Sequence, residues 1–321
     1  MSTQWHDRPE GGAYFAMWLL RGIAIACGRG FARLLLYPIT LYFFLRRGPE
    51  RRASREYLAR VFGRPATALE VMRHLHCFSS TVLDRVYLLS EQFRRFEIST
   101  SGLSELHEQI DLGRGVLLVG SHLGSFDSLR VLSLKRPDVS VRVVLDVGHN
   151  AGVQQVLAAL NPVLARNVID ARMDGTSVVL AIKEALDQGA VVTLLADRAA
   201  PGEATVAASF LGAEARFPAA PWLIASALKV PVVLCFGLYR GGNRYDMNFE
   251  VFAESLSLSR RGREQALAEI VQRYADRLTH HARTAPYNWF NFYPFWQAPA
   301  APLRDAAGGA VRADARVRGE A

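Results

Sequence analysis

The sequence predicts an α/β protein with a mixed, mostly parallel sheet and helices on both faces, preceded by an N-terminal membrane-associating helical segment. Three observations predict this fold. Short apolar runs that follow a glycine, such as residues 116–119 and 190–196, are typical of strands buried on both faces of a sheet. Such runs alternate with helical patterns between residues 115 and 282. Residues 13–45 are strongly apolar and precede an arginine-rich stretch.

The N-terminal region divides into a polar stretch, residues 1–12, and an apolar segment, residues 13–48. Neither apolar run within the segment reaches the roughly 18 uninterrupted apolar residues of a confident spanning helix. A signal peptide is excluded because no basic start and no small-residue cleavage site flank the first run. Arginines at positions 46, 47, 51, 52 and 55 follow. Apolar runs with aromatic residues beside arginines favour helices that lie in or dip into an anionic membrane face. The alternative is a buried hairpin of a soluble protein.

Charge and composition narrow the possible partners. Half of the 321 residues are hydrophobic, which is enough for a large core and leaves further apolar residues that the core does not need. Residues 1–100 hold fifteen arginines, no lysine and eight acidic residues, a net +7 of the total +8. The arginines border apolar runs and no nucleic-acid-reading motif is present, so lipid is favoured over nucleic acid. Three widely spaced cysteines indicate a reducing compartment without a disulfide framework.

Residues 49–297 form the predicted main domain, helical over 49–98 and sheet-containing over 99–297. Helices are predicted at 56–62, 68–89, 103–112, from near 125, and at 151–160, 176–188, 217–229 and 261–282. Strands are predicted at 116–119, 139–145, 167–170, 190–196, 231–238 and 246–252. Seven aromatic residues within 286–296 either close a core or wall an apolar ligand site. Residues 298–321 are rich in Ala, Gly, Pro and Arg and are predicted to be disordered.

His122 and Asp127 are the candidate catalytic residues. Both follow the predicted strand 116–119, and open α/β sheets bind their ligands at the carboxyl ends of strands. The spacing of His, four residues and Asp crosses a turn into a helix, so the carboxylate can return to the imidazole. A carboxylate that holds one ring nitrogen protonated leaves the other nitrogen able to take a proton from an alcohol.

His122 and Asp127 also have possible structural or metal-binding roles. A histidine after a strand is often structural, and an aspartate early in a helix is often a cap. No cysteine pair or second histidine lies at ligand spacing, which argues against a metal site. Residues 120–124 are not a nucleophile elbow, because His122 stands where the elbow needs serine. A base without a protein nucleophile implies that the substrate brings the nucleophile. His74 and His76 fall on different helix faces and are expected to be packed or solvated.

Several motifs together resemble the lysophospholipid acyltransferase superfamily, and within it the late acyltransferases of lipid A biosynthesis. The His122–Asp127 pair, Asp197-Arg198 after a buried strand, Arg216-Phe217-Pro218 before an apolar helix, and the aromatic residues 289–296 carry the resemblance, which covers roughly residues 13–297. The chain also resembles relatives that accompany aryl polyene clusters. It departs from the lipid A pattern at Arg198, where glutamine is usual.

The resemblance implies acyl transfer from a thioester, acyl carrier protein or acyl-CoA, to a hydroxyl of a lipid or glycolipid at the cytoplasmic face of a bacterial inner membrane, without a metal or cofactor. His122 is then the general base, oriented by Asp127. Substrate contacts are expected from Asp197, Arg198, Arg216, Gly124 and Ser125. The N–H groups near residues 123–124 are the expected oxyanion donors.

Two other functions remain open from the sequence. A non-catalytic membrane-bound scaffold of the same fold would not need His122 and Asp127 to converge in a pocket. A thioester or lipid hydrolase could use the same pair to activate water, although an apolar entrance for the acceptor would then be unexplained.

Overall fold

The computed structural model describes residues 11–125, 136, 138–146, 165–200, 202–259 and 261–297, without the side chains of residues 11–21, 23–25 and 297. The helices are α1 Gly11–Arg46, α2 Gly48–Phe62, α3 Ala68–Leu89, α4 Leu103–Asp111, α5 Gly175–Asp187, α6 Ala220–Leu228 and α7 Arg263–Thr284. The strands are β1 Glu97–Ser101, β2 Val116–Gly120, β3 Val141–Leu145, β4 Val168–Asp170, β5 Val191–Leu195, β6 Thr205–Phe210, β7 Ala213–Pro218, β8 Val232–Tyr239 and β9 Arg244–Ala253.

Three helices form the N-terminal region. α1 is kinked at Gly28, whose φ of 80° and ψ of 166° interrupt the helical backbone where the sequence breaks between its two apolar runs. α2 starts with a proline in its first turn and ends at Gly63 in the left-handed conformation. α3 begins with a capping box of Thr67 and Glu70. Within the described residues, no helix combines the length and apolar composition that crossing a membrane requires.

A buried ion pair attaches α1 to the rest of the protein. The guanidinium of Arg29 donates to both carboxylate oxygens of Asp84 in α3, at 2.7 and 2.9 Å. The Tyr245 hydroxyl in β9 donates to the same carboxylate at 2.9 Å. Asp84 is fully buried, so removing either partner would leave an uncompensated charge in the core. The position of α1 after the Gly28 kink is therefore tied to both α3 and the sheet.

Seven strands form one mixed, mostly parallel sheet in the order β1-β9-β8-β2-β5-β3-β4. Only β8 and β9 are antiparallel; the other five neighbouring pairs are parallel. β2 lies at the centre between β5 and β8, and all five of its residues are buried. The predicted fold class is confirmed.

Alternate residues of β2 pack against helices on opposite faces of the sheet. Leu117 and Val119 belong to the large core that includes residues of α2, α5 and α7. Val116 and Leu118 belong to a smaller core with Leu106 of α4. The two-residue period of a strand explains why a continuous apolar run was required here.

Three strands were not predicted: β1 in the N-terminal part of the domain, and β6 and β7 after β5. β1 has the sequence Glu-Ile-Ser-Thr-Ser, and its residues are alternately exposed and half-buried. A short, mostly polar segment of this kind at a sheet edge gives only a weak strand signal in the sequence. β6 and β7 form a separate antiparallel hairpin. Its turn residues Leu211 and Gly212 both have positive φ, as a type I′ turn needs.

The helix predicted to start at Phe217 begins at Ala220 instead. Phe217 and Pro218 complete β7, where Phe217 is fully buried against Tyr274 of α7. A proline at the end of an edge strand loses no sheet hydrogen bond, so it could be placed in the strand as well as in a helical first turn. The predicted strands, and the predicted helices 68–89, 103–112, 176–188 and 261–282, match observed elements to within a few residues, whereas the helix predicted at 56–62 extends back to Gly48. The helix predicted near Ser125, the helix 151–160 and the tail 298–321 lie outside the described residues.

Replacing Gly124 by alanine is expected to destabilise the fold strongly. Its φ is +81°, and a Cβ there would lie 1.9 Å from the carbonyl oxygen of Gly237 in β8. Gly212→Ala is a matched control, because its φ is +80° and no atom lies within 4 Å of its Cβ position. Left-handed strain of ~1–2 kcal/mol applies to both variants, but the clash applies only to Gly124→Ala. Equal thermal midpoints for the two variants would contradict the close approach to β8.

Candidate active site

The register of two parallel strands brings His122 and Asp197 together. Gly120 at the end of β2 pairs with Leu195 at the end of β5. His122 and Asp197 each follow two residues later, at the carboxyl edge of the sheet. The Nδ1 atom of His122 lies 2.8 Å from Asp197 Oδ1. This is the edge at which open α/β sheets bind their ligands.

The carboxylate of Asp197 accepts three hydrogen bonds. Besides His122 Nδ1, the backbone N–H of His122 donates to Oδ2 at 3.0 Å. The indole N–H of Trp289 donates to Oδ2 at 3.0 Å as well. Asp197 and Trp289 are both fully buried. A buried carboxylate needs such partners, because leaving water is costly for a charge.

These contacts assign the protons on the imidazole. The ionised carboxylate of Asp197 can only accept a hydrogen bond, so His122 Nδ1 carries the proton that it donates. The other ring nitrogen, Nε2, then has a free lone pair. The side chain of His122 is 32% exposed, while that of Asp197 is 0% exposed. Nε2 makes no hydrogen bond to any described residue. The imidazole can therefore accept a proton from a molecule that reaches it from outside.

The electrostatics keep His122 neutral and Asp197 charged at neutral pH. Burial lowers the pKa of His122; the guanidinium groups of Arg198 and Arg85 lower it further, and Asp197 opposes them. Burial raises the pKa of Asp197, but the His122 ring and N–H groups together with Arg198 outweigh it and bring this pKa to about 2. A neutral imidazole beside an ionised carboxylate is the state that a general base requires.

The C-terminal aromatic segment closes over the loop after β2. Leu123 and Trp289 form an antiparallel bridge. The N–H of Phe290 donates to His122 O at 2.9 Å, and the N–H of Gly124 donates to Asn288 O at 2.7 Å. The segment thus does close the core, and its tryptophan also holds the carboxylate.

A buried histidine supports the tryptophan from behind. His74 Nε2 lies 2.9 Å from Trp289 O, and its Nδ1 lies 2.8 Å from the Ser54 hydroxyl. Burial lowers the pKa of His74 to about 4, so the ring is neutral, donates to the carbonyl from Nε2 and accepts from Ser54. His74 is a packed histidine, as expected.

The backbone N–H groups at residues 122–125 are already engaged. Those of His122 and Gly124 bond to Asp197 and Asn288, as described above. The N–H of Leu123 faces the Ser121 hydroxyl at 3.3 Å, and that of Ser125 donates to Gly237 O at 2.7 Å. The expectation that N–H groups near residues 123–124 stabilise an oxyanion is therefore wrong in this conformation.

Arg198 is the charged donor next to the pair. One Nη2–H donates to the carbonyl of Phe290, and the guanidinium lies 5.6 Å from the ring centroid of Tyr293. Its Nε atom is buried and has no hydrogen-bond acceptor among the described residues. A buried donor without an acceptor is costly unless a ligand supplies one.

Comparison of the chain with models of protein families shows to which family it belongs. The family model for bacterial lipid A biosynthesis acyltransferases matches residues 11–298. The chain belongs to this family. No curated protein matches it significantly. The acyltransferase is thus a transferase whose reaction requires an acyl donor and a lipid acceptor.

The structure distributes the predicted site residues of this acyltransferase unequally. His122, Asp197 and Arg198 lie together, and Gly124 and Ser125 lie in the adjoining loop. Arg216 lies on the β6–β7 hairpin, 3.6 Å from Glu214, and forms no ion pair with His122 or Asp197 in the described part of the chain. Asp127 lies outside the described residues, so its role stays a prediction. The ring nitrogen Nδ1 is held by Asp197, a residue expected to contact substrate.

The sequence did not predict the pairing of Asp197 with His122, and it did not predict Trp289 or Arg85 as residues of the acyltransferase site. Asp197 was noticed, but its pairing with His122 follows only from β2 and β5 being neighbours, which the sequence did not establish. Trp289 was part of an aromatic block in which no residue stood out. Arg85, near the C-terminal end of α3, carries no local signal of its proximity to His122.

Replacing Trp289 by phenylalanine is expected to destabilise the acyltransferase more than the matched variant Trp222→Phe. Both indoles are fully buried, but the Trp222 N–H has no acceptor among the described residues. Only Trp289→Phe removes a hydrogen bond to a charged acceptor, worth about 1.5–3 kcal/mol. The difference should appear as a thermal midpoint several degrees lower. Equal midpoints would mean that the indole contributes packing alone.

Proposed function

We propose that His122, oriented by Asp197, is the general base that moves an acyl group from a thioester to a lipid or glycolipid hydroxyl. The observation that carries this is a neutral, partly exposed imidazole whose Nδ1 is held by a buried carboxylate and whose Nε2 has no hydrogen-bond partner among the described residues. Family membership supplies the reaction class. No serine or cysteine nucleophile is needed, because the acceptor hydroxyl attacks directly.

The proposed acyl transfer passes through a tetrahedral intermediate. His122 Nε2 takes the proton of the acceptor hydroxyl as its oxygen bonds to the thioester carbonyl carbon. The tetrahedral intermediate collapses, the carbon–sulfur bond breaks, and the imidazolium returns the proton to the leaving thiolate. Asp197 stabilises the imidazolium in between, as the carboxylate does in Ser-His-Asp enzymes. The products are an ester and a free thiol.

Arg198 is proposed to stabilise the negative charge that develops on the thioester oxygen. Its charge acts on His122, and its Nε–H is the buried donor without an acceptor among the described residues. Charged donors aimed at a developing oxyanion in a site shielded from water contribute much of an enzyme's rate. A phosphopantetheine phosphate is the other group that this guanidinium could bind.

The donor and location are proposed from the sequence. We propose acyl carrier protein as the donor, with acyl-CoA as the alternative, and a contact of α1 with the cytoplasmic face of a bacterial inner membrane. Support for the contact comes from exposed apolar side chains on α1, namely Phe31, Leu34, Tyr37, Leu41, Tyr42 and Leu45. These recur every three or four residues and form one stripe, opposite the buried Ala32 and Leu36.

Removing the base should abolish acyl transfer. We expect His122→Ala to lower the rate by ~10²–10⁴-fold, which is what a general base contributes. Asp197→Asn should also cause a large loss, because an amide can present its N–H to Nδ1 and favour the wrong tautomer. The measurement is transfer of labelled acyl chains from acyl carrier protein thioesters to membrane lipid. Asp127→Asn, run beside them, tests whether the second carboxylate is needed.

Different results would support the alternatives. Release of free fatty acid by the wild type would indicate a hydrolase. Membrane binding without turnover of any donor would indicate a scaffold. Wild-type rates in both His122→Ala and Asp197→Asn would contradict the proposed base.

The pH profile should show that Arg198 tunes the base. Activity is expected to fall as pH drops through the pKa of His122, which lies below the ordinary value of 6.5. Arg198 lowers this pKa, so Arg198→Gln should raise it and move the acid limb of kcat/KM to higher pH. Arg198→Lys retains the charge and should keep the limb in place, as should Arg94→Gln at an exposed position. An unshifted limb in Arg198→Gln would show that the guanidinium does not act on the base.

A further inference from the structure

A cavity of about 670 Å³ is lined by residues other than those of the His122 site. One face of α3 lines it with Leu69, Met72, Arg73, His76 and Cys77, spaced three or four residues apart. Arg33, Tyr37 and Thr40 of α1 form the facing wall, and the β8–β9 turn and residues 284–288 complete it. Neither His122, Asp197 nor Arg198 lines this cavity.

The lining of this cavity is cationic. Arg33, Arg73 and Arg240 contribute guanidinium groups, and none of the lining residues is acidic. Arg240 is neutralised by Asp246 at 2.6 Å. Among the described residues, Arg33 donates only to neutral oxygens, the Tyr239 hydroxyl at 2.9 Å and Gly242 O at 2.8 Å. Arg73 is exposed and forms no ion pair within the described part of the chain. Two positive charges therefore remain uncompensated by any described carboxylate.

Neutral polar groups add hydrogen-bonding capacity between these charges. His76 stacks on Tyr37 with ring centroids 4.7 Å apart, and its Nδ1 lies 3.3 Å from the Thr40 hydroxyl. Burial, assisted by Arg33, lowers the pKa of His76 and keeps the ring neutral. A cavity with two available guanidinium groups, hydroxyls and no acid suits a phosphate group.

The cavity also borders the apolar stripe of α1. Tyr37 lines the cavity and is 64% exposed, and Leu69 lines it from α3 and is 57% exposed. Leu34 and Leu41 lie one turn of α1 to either side of Tyr37 and are exposed too. A ligand that places an anion between Arg33 and Arg73 would therefore have apolar surface beside it for hydrocarbon chains.

We propose that this cavity is an accessory site for the phosphate headgroup of an anionic membrane lipid whose chains lie along the α1 stripe. The proposal rests on the membrane contact of α1 proposed above and adds a specific headgroup to it. It does not depend on acyl transfer, because this cavity and the His122 site share none of the residues that would react.

The test is binding of the full-length protein to two kinds of vesicle, in the absence of any acyl donor. Phosphatidylcholine alone measures the membrane contact, and phosphatidylcholine containing phosphatidic acid measures the added effect of the phosphate. Oleic acid at matched surface charge replaces phosphatidic acid in a third sample, to separate phosphate recognition from charge. We expect the wild type to prefer the phosphatidic acid vesicles over both others.

Two variants of the cavity should lose this preference. Arg73→Gln removes an exposed charge, and we expect binding to phosphatidic acid vesicles to fall about fivefold, against a smaller loss for the exposed control Arg263→Gln. Met72→Trp keeps the charge but fills the cavity, and should reduce the preference for phosphatidic acid without reducing binding to phosphatidylcholine.

The outcomes separate this site from the membrane contact. Failure to bind any vesicle would overturn the membrane contact and the accessory site with it. Binding to all three vesicles without a preference, or equal losses in Arg73→Gln and Arg263→Gln with no effect of Met72→Trp, would overturn the accessory site alone. If inorganic phosphate binds the wild type and displaces the phosphatidic acid vesicles, while Met72→Trp abolishes both effects, the site takes free phosphate and the lipid proposal is wrong.

Discussion

The buried carboxylate of Asp197 is the interaction on which the site depends. Ionised and removed from water, it is stable only because the His122 imidazole, the His122 N–H and the Trp289 indole all donate to it. These donors come from the loop after β2 and from the C-terminal segment, while the acceptor follows β5. Strand register, loop conformation and C-terminal packing must all be correct before the charge is satisfied.

Burial and charge act in opposite directions on the two members of this pair. For Asp197, the three donors and Arg198 overcome the cost of burial, and the carboxylate stays ionised. For His122, burial and the neighbouring guanidinium groups overcome the attraction of Asp197, and the ring stays neutral. The pair therefore holds one negative charge beside cations at neutral pH, and its imidazole can accept a proton.

The sequence was a better guide to the elements than to the contacts between them. Buried strands such as β2 and β5 were predictable, because a short apolar run that starts directly after a glycine is typical of a strand buried on both faces. The hairpin β6–β7 was missed, since its last residues, Phe217 and Pro218, fit a helix start equally well. His122 was predicted from its place after a strand, but its observed partner was not. Asp127 is close to His122 in the sequence and was therefore considered as its partner. The observed partner of Nδ1, Asp197, lies 75 residues away and becomes a neighbour only through the parallel pairing of β2 with β5.

The return of residues 288–290 to the loop at residues 122–124 has a consequence for biosynthesis. The imidazole is made early in translation, but the indole that completes its carboxylate support is among the last parts of the domain to be made. A nascent chain, or one cleaved before residue 288, lacks the residues that pair with the His122 loop. It also lacks the Trp289 indole that donates to Asp197. The hydrogen-bond network around Asp197 is therefore complete only after residue 289 has been synthesised, so a shorter chain would leave this buried carboxylate without its indole donor.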